Sequence, residues 1–239
     1  MAFESHQRGY SVSVGRSAAE VDAGLRAYML RVYNYMASAL ALTGIVALAV
    51  SSSPALMQTI FGSGLGIVVM LAPVGLVLFL SFGINKMSLT TAQAVFWIYA
   101  ALMGVSLSAI FLAYTGESIA RTFFITAGTF AGMSLYGYTT KKDLSGWGSF
   151  LFMGLIGIII ASVVNLFLHS SALQFVVSAA GVLIFTGLTA YDTQRIKESY
   201  YEGDGAVVAG KKAVFGALQL YLDFINLFIM LLRFFGNRN

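Results

Sequence analysis

Ala213-Val-Phe-Gly-Ala-Leu-Gln-Leu-Tyr-Leu-Asp223-Phe-Ile-Asn-Leu-Phe-Ile-Met-Leu-Leu-Arg-Phe-Phe235 decides the fold of this chain. At ~1.5 Å per residue the run is long enough to cross a bilayer, for which about 20 residues suffice. A single carboxylate stands at its centre. An ionised Asp at mid-bilayer costs at least ~2.5–3.5 kcal/mol on insertion scales, so such a residue is kept off lipid and marks an ion or proton path. A second lone acid, Asp192, stands where the apolar run 183–191 ends. Two isolated acids on consecutive segments look like a site.

Composition agrees with a membrane protein. Of the 239 residues 58% are hydrophobic and only 10% charged, where a soluble domain carries about 25% charged residues. With no Cys and two His, Cys-based zinc sites, disulfides, thiol nucleophiles and Fe–S clusters are excluded. The net charge of +4 is scattered over loops rather than gathered on one face, so it is no nucleic-acid footprint. The first 30 residues hold Glu4, Arg8, Arg16, Glu20, Asp22 and Arg26 with no apolar core, unlike a cleavable signal peptide.

Seven apolar segments follow one another, at about 33–50, 65–82, 92–114, 122–138, 150–168, 173–191 and 213–235. None alternates strictly, and a spanning segment must satisfy its own backbone, so each is a helix. The expected architecture is an all-α integral membrane protein, with a polar, flexible tail at 1–16 and one transmembrane domain at 17–239. Ser17-Ala18-Ala19-Glu20 has the form of a capping box. The apolar positions behind it suit either a short helix at the interface or an extension of the first span. Phe96 and Phe167 are expected to face lipid. Gly128 with Gly132, Gly154 with Gly157, and Gly104 with its neighbouring serines have the spacing that lets helices approach closely. Pro73 stands mid-span in the second segment, where a missing amide donor bends a helix.

Lys and Arg set an orientation. Eleven of the fourteen, from Arg8, Arg16, Arg26 and Arg31 through Lys86, Lys141, Lys142, Arg195 and Lys197 to Lys211 and Lys212, fall on one side. That side, with the N-terminus, is expected to be cytoplasmic. A re-entrant last segment would move Arg233 and Arg238 to the same side; the length of 213–235 argues for a full crossing.

In the last segment Gly216, Gln219, Asp223 and Asn226 recur at three- and four-residue spacing and form one polar stripe. Such a helix belongs in the middle of a bundle. Thr189 lies a turn before Asp192, near the cytoplasmic boundary. Residue types leave two arrangements open. Either the acids meet across the two helices, sharing a proton when held together and offering hard oxygens to Ca²⁺ when ionised; or Asp192 pairs with Arg195 while Asp223 bonds another helix. Paired-aspartate proteolysis would need both acids in the bilayer core, and Asp192 stands too near its edge. His6 in the tail and His169 in a loop leave a serine nucleophile without a base, so no enzyme is expected. Glu117 and Asp143 occupy loops, Glu117 placed to draw cations at the outer mouth.

The segments Gly181-Val-Leu-Ile-Phe-Thr-Gly-Leu-Thr-Ala-Tyr-Asp192-Thr-Gln-Arg-Ile-Lys197, Ala217-Leu-Gln-Leu-Tyr-Leu-Asp223-Phe-Ile-Asn-Leu-Phe, Thr139-Thr-Lys-Lys-Asp-Leu-Ser145 and Met153-Gly-Leu-Ile-Gly157 closely resemble hallmark segments of the Bax inhibitor-1 family, and of its bacterial YccA-like members in particular. The resemblance runs from the first span to the C-terminus. It implies seven helices with the last at the centre of six others, in a bacterial inner membrane. It implies a pH-sensitive calcium leak whose sensor is the pair Asp192 and Asp223, with Ca²⁺ and protons as the ions handled and no resident cofactor; the polar stripes add Gln219, Asn226 and Thr189 as supporting residues. Family members include cell-death regulators, stress-response proteins and a modulator of a membrane protease, so a non-conducting regulator is the alternative. The family's latching arginine on the second helix is missing, since 65–84 holds none; Lys86 is the nearest cation and lacks the bidentate fork.

Overall fold

The computed structural model describes residues 18–84 and 86–239. The tail 1–16 and Ser17 of the capping box lie outside the described residues. Within them run α1 (Ala18–Ser51), α2 (Pro54–Phe61), α3 (Leu65–Gly83), α4 (Leu89–Leu107), α5 (Ile110–Ala113), α6 (Gly116–Thr139), α7 (Ser145–Leu168), α8 (Ser171–Glu198) and α9 (Ala206–Phe235). Hydroxyl residues start four of them. Ser53, Ser88, Thr115 and Ser170 accept the amides of Leu56, Thr91, Ser118 and Leu173, satisfying donors that the first helical turn leaves free. His169 closes α7 in the left-handed conformation (φ 51°), exposed as expected of a loop residue.

Among the described residues six helices are long and apolar enough to cross a bilayer: α1 from Asp22, α3, α4 continued through α5, α7, α8 and α9. α6 matches them in length at 24 residues but is richer in Gly, Ser and Thr; it packs on α8 and α9 as the seventh member of the bundle. α9 is the centre. In its most apolar window 72% of residues are buried, against 11–33% in the other five. The outer helices turn large apolar side chains outward, as lipid contact requires; Phe167 is 83% exposed.

Helical geometry is continuous from Ala18, so of the two alternatives the region behind the capping box extends the first span. Other expectations are corrected. α2 is an extra short helix, started by Ser53 and Pro54. α9 begins at Ala206 rather than 213, so Lys211 and Lys212 ride on its first turns. Phe96 is fully buried among the rings of Tyr35 and Trp97. A Cβ on Gly128, Gly132 or Gly157 would meet nothing within 4 Å, so these glycines do not bring helices together. Gly104 and Gly154 do: a Cβ there would stand 2.7 Å from the Thr43 carbonyl oxygen and 2.6 Å from Ile184 Cδ1 respectively.

α9 passes from one end of the bundle to the other. At its start Lys212 Nζ donates to the Ser199 carbonyl (2.9 Å) and pairs with Asp204 (2.6 Å). At its end the amide of Asn237 donates to Ser118 Oγ (2.9 Å), and Tyr114 and Arg238 form an antiparallel bridge. Its 30 residues span about 45 Å at the helical rise. Within 206–235 the helix is continuous and does not turn back on itself.

Candidate functional site

α8 and α9 pack along each other, and their facing sides carry the two acids. Asp223 is buried, 5% exposed, on the face of α9 that also holds Gly216, Leu220 and Leu227. Asp192 is half-buried on α8, six residues before its end at Glu198. The carboxyl groups of Asp192 and Asp223 lie within hydrogen-bonding reach of each other. Asp223 Oδ2 is buried without a hydrogen-bond partner. A buried carboxyl oxygen left unpartnered is costly.

The cation whose field reaches Asp192 is Arg195, one turn further along α8. Its guanidinium sits 5.7 Å from the centre of the Tyr191 ring and Nη1 donates to the Tyr191 hydroxyl (3.2 Å). Lys86, the sequence's stand-in for a latch, is exposed in the turn between α3 and α4. The supporting residues divide. Gln219 is half-buried and lines a 160 Å³ cavity together with Arg195, Lys212 and Tyr28, one turn toward the start of α9 from Asp223. Asn226 Nδ2 donates to the Leu222 carbonyl of its own helix (2.8 Å), and Thr189 Oγ1 to that of Phe185 (2.8 Å). Both satisfy themselves locally, as polar side chains in a membrane helix do. Glu117 is exposed in the first turn of α6. Asp143 accepts the Ser145 amide (2.8 Å) at the start of α7, and the hydroxyl and amide of Ser145 hold its carboxyl below the ordinary range.

Three polar contacts fix the helices that carry the acids, and sequence reasoning missed them. Gln194, next but one to Asp192, receives the Leu144 amide at Oε1 and donates Nε2 to the Lys142 carbonyl, both at 2.8 Å. It thereby clamps the α6–α7 turn onto α8. The hydroxyls of Tyr33, Ser134 and Thr193 form a chain across α1, α6 and α8 (2.6 and 3.0 Å). Thr43 donates to the Ala100 carbonyl (2.8 Å) and meets the Tyr221 hydroxyl (2.7 Å), tying α1 and α4 to the central helix two residues from Asp223. The available signal was a polar residue inside an apolar run, which names a candidate without naming its partner.

Among the described residues no group of three or more His, Asp or Glu gathers for a metal. Ca²⁺ takes six to eight oxygens, and the two carboxyl groups supply at most four.

The comparisons follow the same elements. The family described as inhibitor of apoptosis-promoting Bax1 matches residues 25–239. The uncharacterized protein RP147 of Rickettsia prowazekii is 54% identical over 217 residues, 91% of this chain and 92% of that protein. The inner membrane protein YbhL of Escherichia coli K12 is 49% identical over 225 residues, 93% and 96% of the two chains. An uncharacterized membrane protein of Streptococcus pyogenes is 44% identical over 164 residues, 69% and 71% of the two chains. With acids, central helix and matched residues running together across nearly its whole length, this integral membrane protein belongs to the Bax inhibitor-1 family.

Proposed function

We propose that the protein is a pH-sensitive calcium leak path, gated where Asp192 meets Asp223. The observation that supports this reading is the contact between the two carboxyl groups on the buried face of the central helix. In a low-dielectric surrounding two touching carboxyls hold together through a shared proton, and loss of that proton leaves like charges that repel. α8 and α9 would then part at the end where the basic turns lie, opening a way past Gln219. Ionised carboxylates along that way attract a divalent cation, and Arg195, held on Tyr191, tempers the repulsion. The basic residues at that end favour a cytoplasmic placement by the positive-inside rule, with the N-terminus on the same side. The Escherichia coli relative's description as an inner membrane protein supports the same membrane for this chain.

The test is Ca²⁺ uptake into liposomes holding the purified protein, with a trapped indicator, against protein-free liposomes. Uptake above lipid background that grows as pH rises supports the reading. Background uptake at every pH overturns it, and leaves a non-conducting regulator of a membrane protease or other partner as the reading to pursue.

A further inference from the structure

The bundle is not closed all round. α1 packs on α4 and α9, and α6 on α8 and α9, which leaves a cleft between α1 and α6 floored by Phe224 of the central helix. Its part nearest the basic end encloses about 670 Å³ and is walled by Arg26, Tyr33 and Met36 of α1 and by Ala127 and Ala131 of α6. The small side chains of Ala127 and Ala131 on α6 leave the space of this cleft open. From Arg26 to Met36 is about 15 Å along a helix, the depth of one leaflet of a hydrocarbon core ~30 Å thick.

Charge and polarity are graded along the cleft as in a phospholipid. Arg26 stands exposed at the mouth. Lys197 Nζ lies 5.3 Å over the ring of Tyr138, which forms the opposite wall at the same end. Below them come the Tyr33 and Ser134 hydroxyls, bonded to each other across the cleft (2.6 Å), and below those only apolar side chains. A partner helix would need the full membrane depth, but beyond Phe224 the space narrows to about 270 Å³ between Phe123 and Phe228. We infer that this cleft seats one anionic phospholipid, its phosphate facing Arg26 with Lys197 behind it and one acyl chain lying against Phe224. The inference is independent of calcium conduction, since it needs only the cleft and its cations.

Native mass spectrometry of the full chain, released from detergent with phosphatidylglycerol or phosphatidylcholine added in equal amounts, tests it. The parent should retain a single phosphatidylglycerol in preference to phosphatidylcholine, by about fivefold for each cation engaged. Arg26→Gln should lower that preference about fivefold, Arg26→Lys should keep it, and Ala131→Phe, which fills the cleft, should abolish retention of the lipid. Equal retention of the two lipids by the parent, or a preference unchanged in Arg26→Gln, overturns the assignment. If Ala131→Phe fails to fold, judged by its melting curve, the Arg26 pair decides alone. A lipid-free dimer as the dominant species would give the cleft to a second copy and also overturn it.

Discussion

Gly137→Ala probes the packing that sets Asp192 against Asp223. Gly137 on α6 faces the backbone of α8: a Cβ there would stand 2.2 Å from the Ala190 carbonyl oxygen and 2.9 Å from Ala190 Cα. Both atoms belong to backbone, so no rotamer change relieves the clash, and the two helices must part by about 1 Å to restore ordinary contact. Overpacking of this kind costs ~1–3 kcal/mol. Alanine returns up to ~1 kcal/mol as the better helix former. A clash this deep against backbone lies at the upper end of that cost, so the net loss of about 2 kcal/mol lowers the melting temperature by about 4–8 °C for a chain of this size. Gly128→Ala, on the same helix with nothing within 4 Å, is the control and should gain about 0.5–1 kcal/mol. Thermal unfolding of the purified variants in one detergent measures both. Ala190 lies two residues before Asp192, so Gly137→Ala should also weaken the pH response of any flux. Equal melting of Gly137→Ala and parent, or shifts of the same sign in the two variants, would refute the close-packing argument.

Gln194→Ala removes two buried hydrogen bonds to the α6–α7 turn and should cost about 1–3 kcal/mol; faster proteolysis between Thr140 and Leu144 is the specific readout. Thr43→Val breaks the link to Tyr221 and Ala100 and should lower stability by about 0.6–2 kcal/mol, read from the same melting curves. Asp143 gains its hydrogen bonds as a carboxylate. Its capping contribution is therefore present across neutral pH and fades only as pH falls through its lowered pKa, so Asp143→Asn should leave the neutral-pH dependence of Ca²⁺ flux unchanged.

The all-α membrane architecture and the central helix were legible because each rests on a large energy. Seven apolar runs have one stable form in lipid, and a lone Asp in such a run must find cover. Boundaries were less legible. α9 starts seven residues early because Val207, Val208 and Ala209 continue a helix that hydropathy alone does not require. Phe96 reads as lipid-facing by composition, yet it is buried because α4 turns that side to Tyr35 on α1. Glycine spacing misled at Gly128 and Gly132, since the pattern specifies a surface that permits approach, and whether a helix approaches depends on the partner. Asn226 and Thr189 shared the acids' stripe but bond their own helix, because a neighbouring carbonyl one turn back is always available. The cation that acts on Asp192 is Arg195, one turn along the same helix, as one of the two arrangements open in the sequence has it, whereas Lys86, sought on a different segment, stands exposed in a turn.

Ca²⁺ flux through liposomes as a function of pH isolates the gating role of the acid pair when the parent is compared with Asp223→Asn and Asp192→Asn, each shown by its melting curve to be folded. Asparagine keeps a hydrogen-bonding side chain and cannot be charged. The parent's flux is expected to climb as pH rises and the shared proton leaves, while both variants give a flux that no longer follows pH. A variant whose flux tracks pH as the parent's does would contradict the claim and place the sensor elsewhere in the chain.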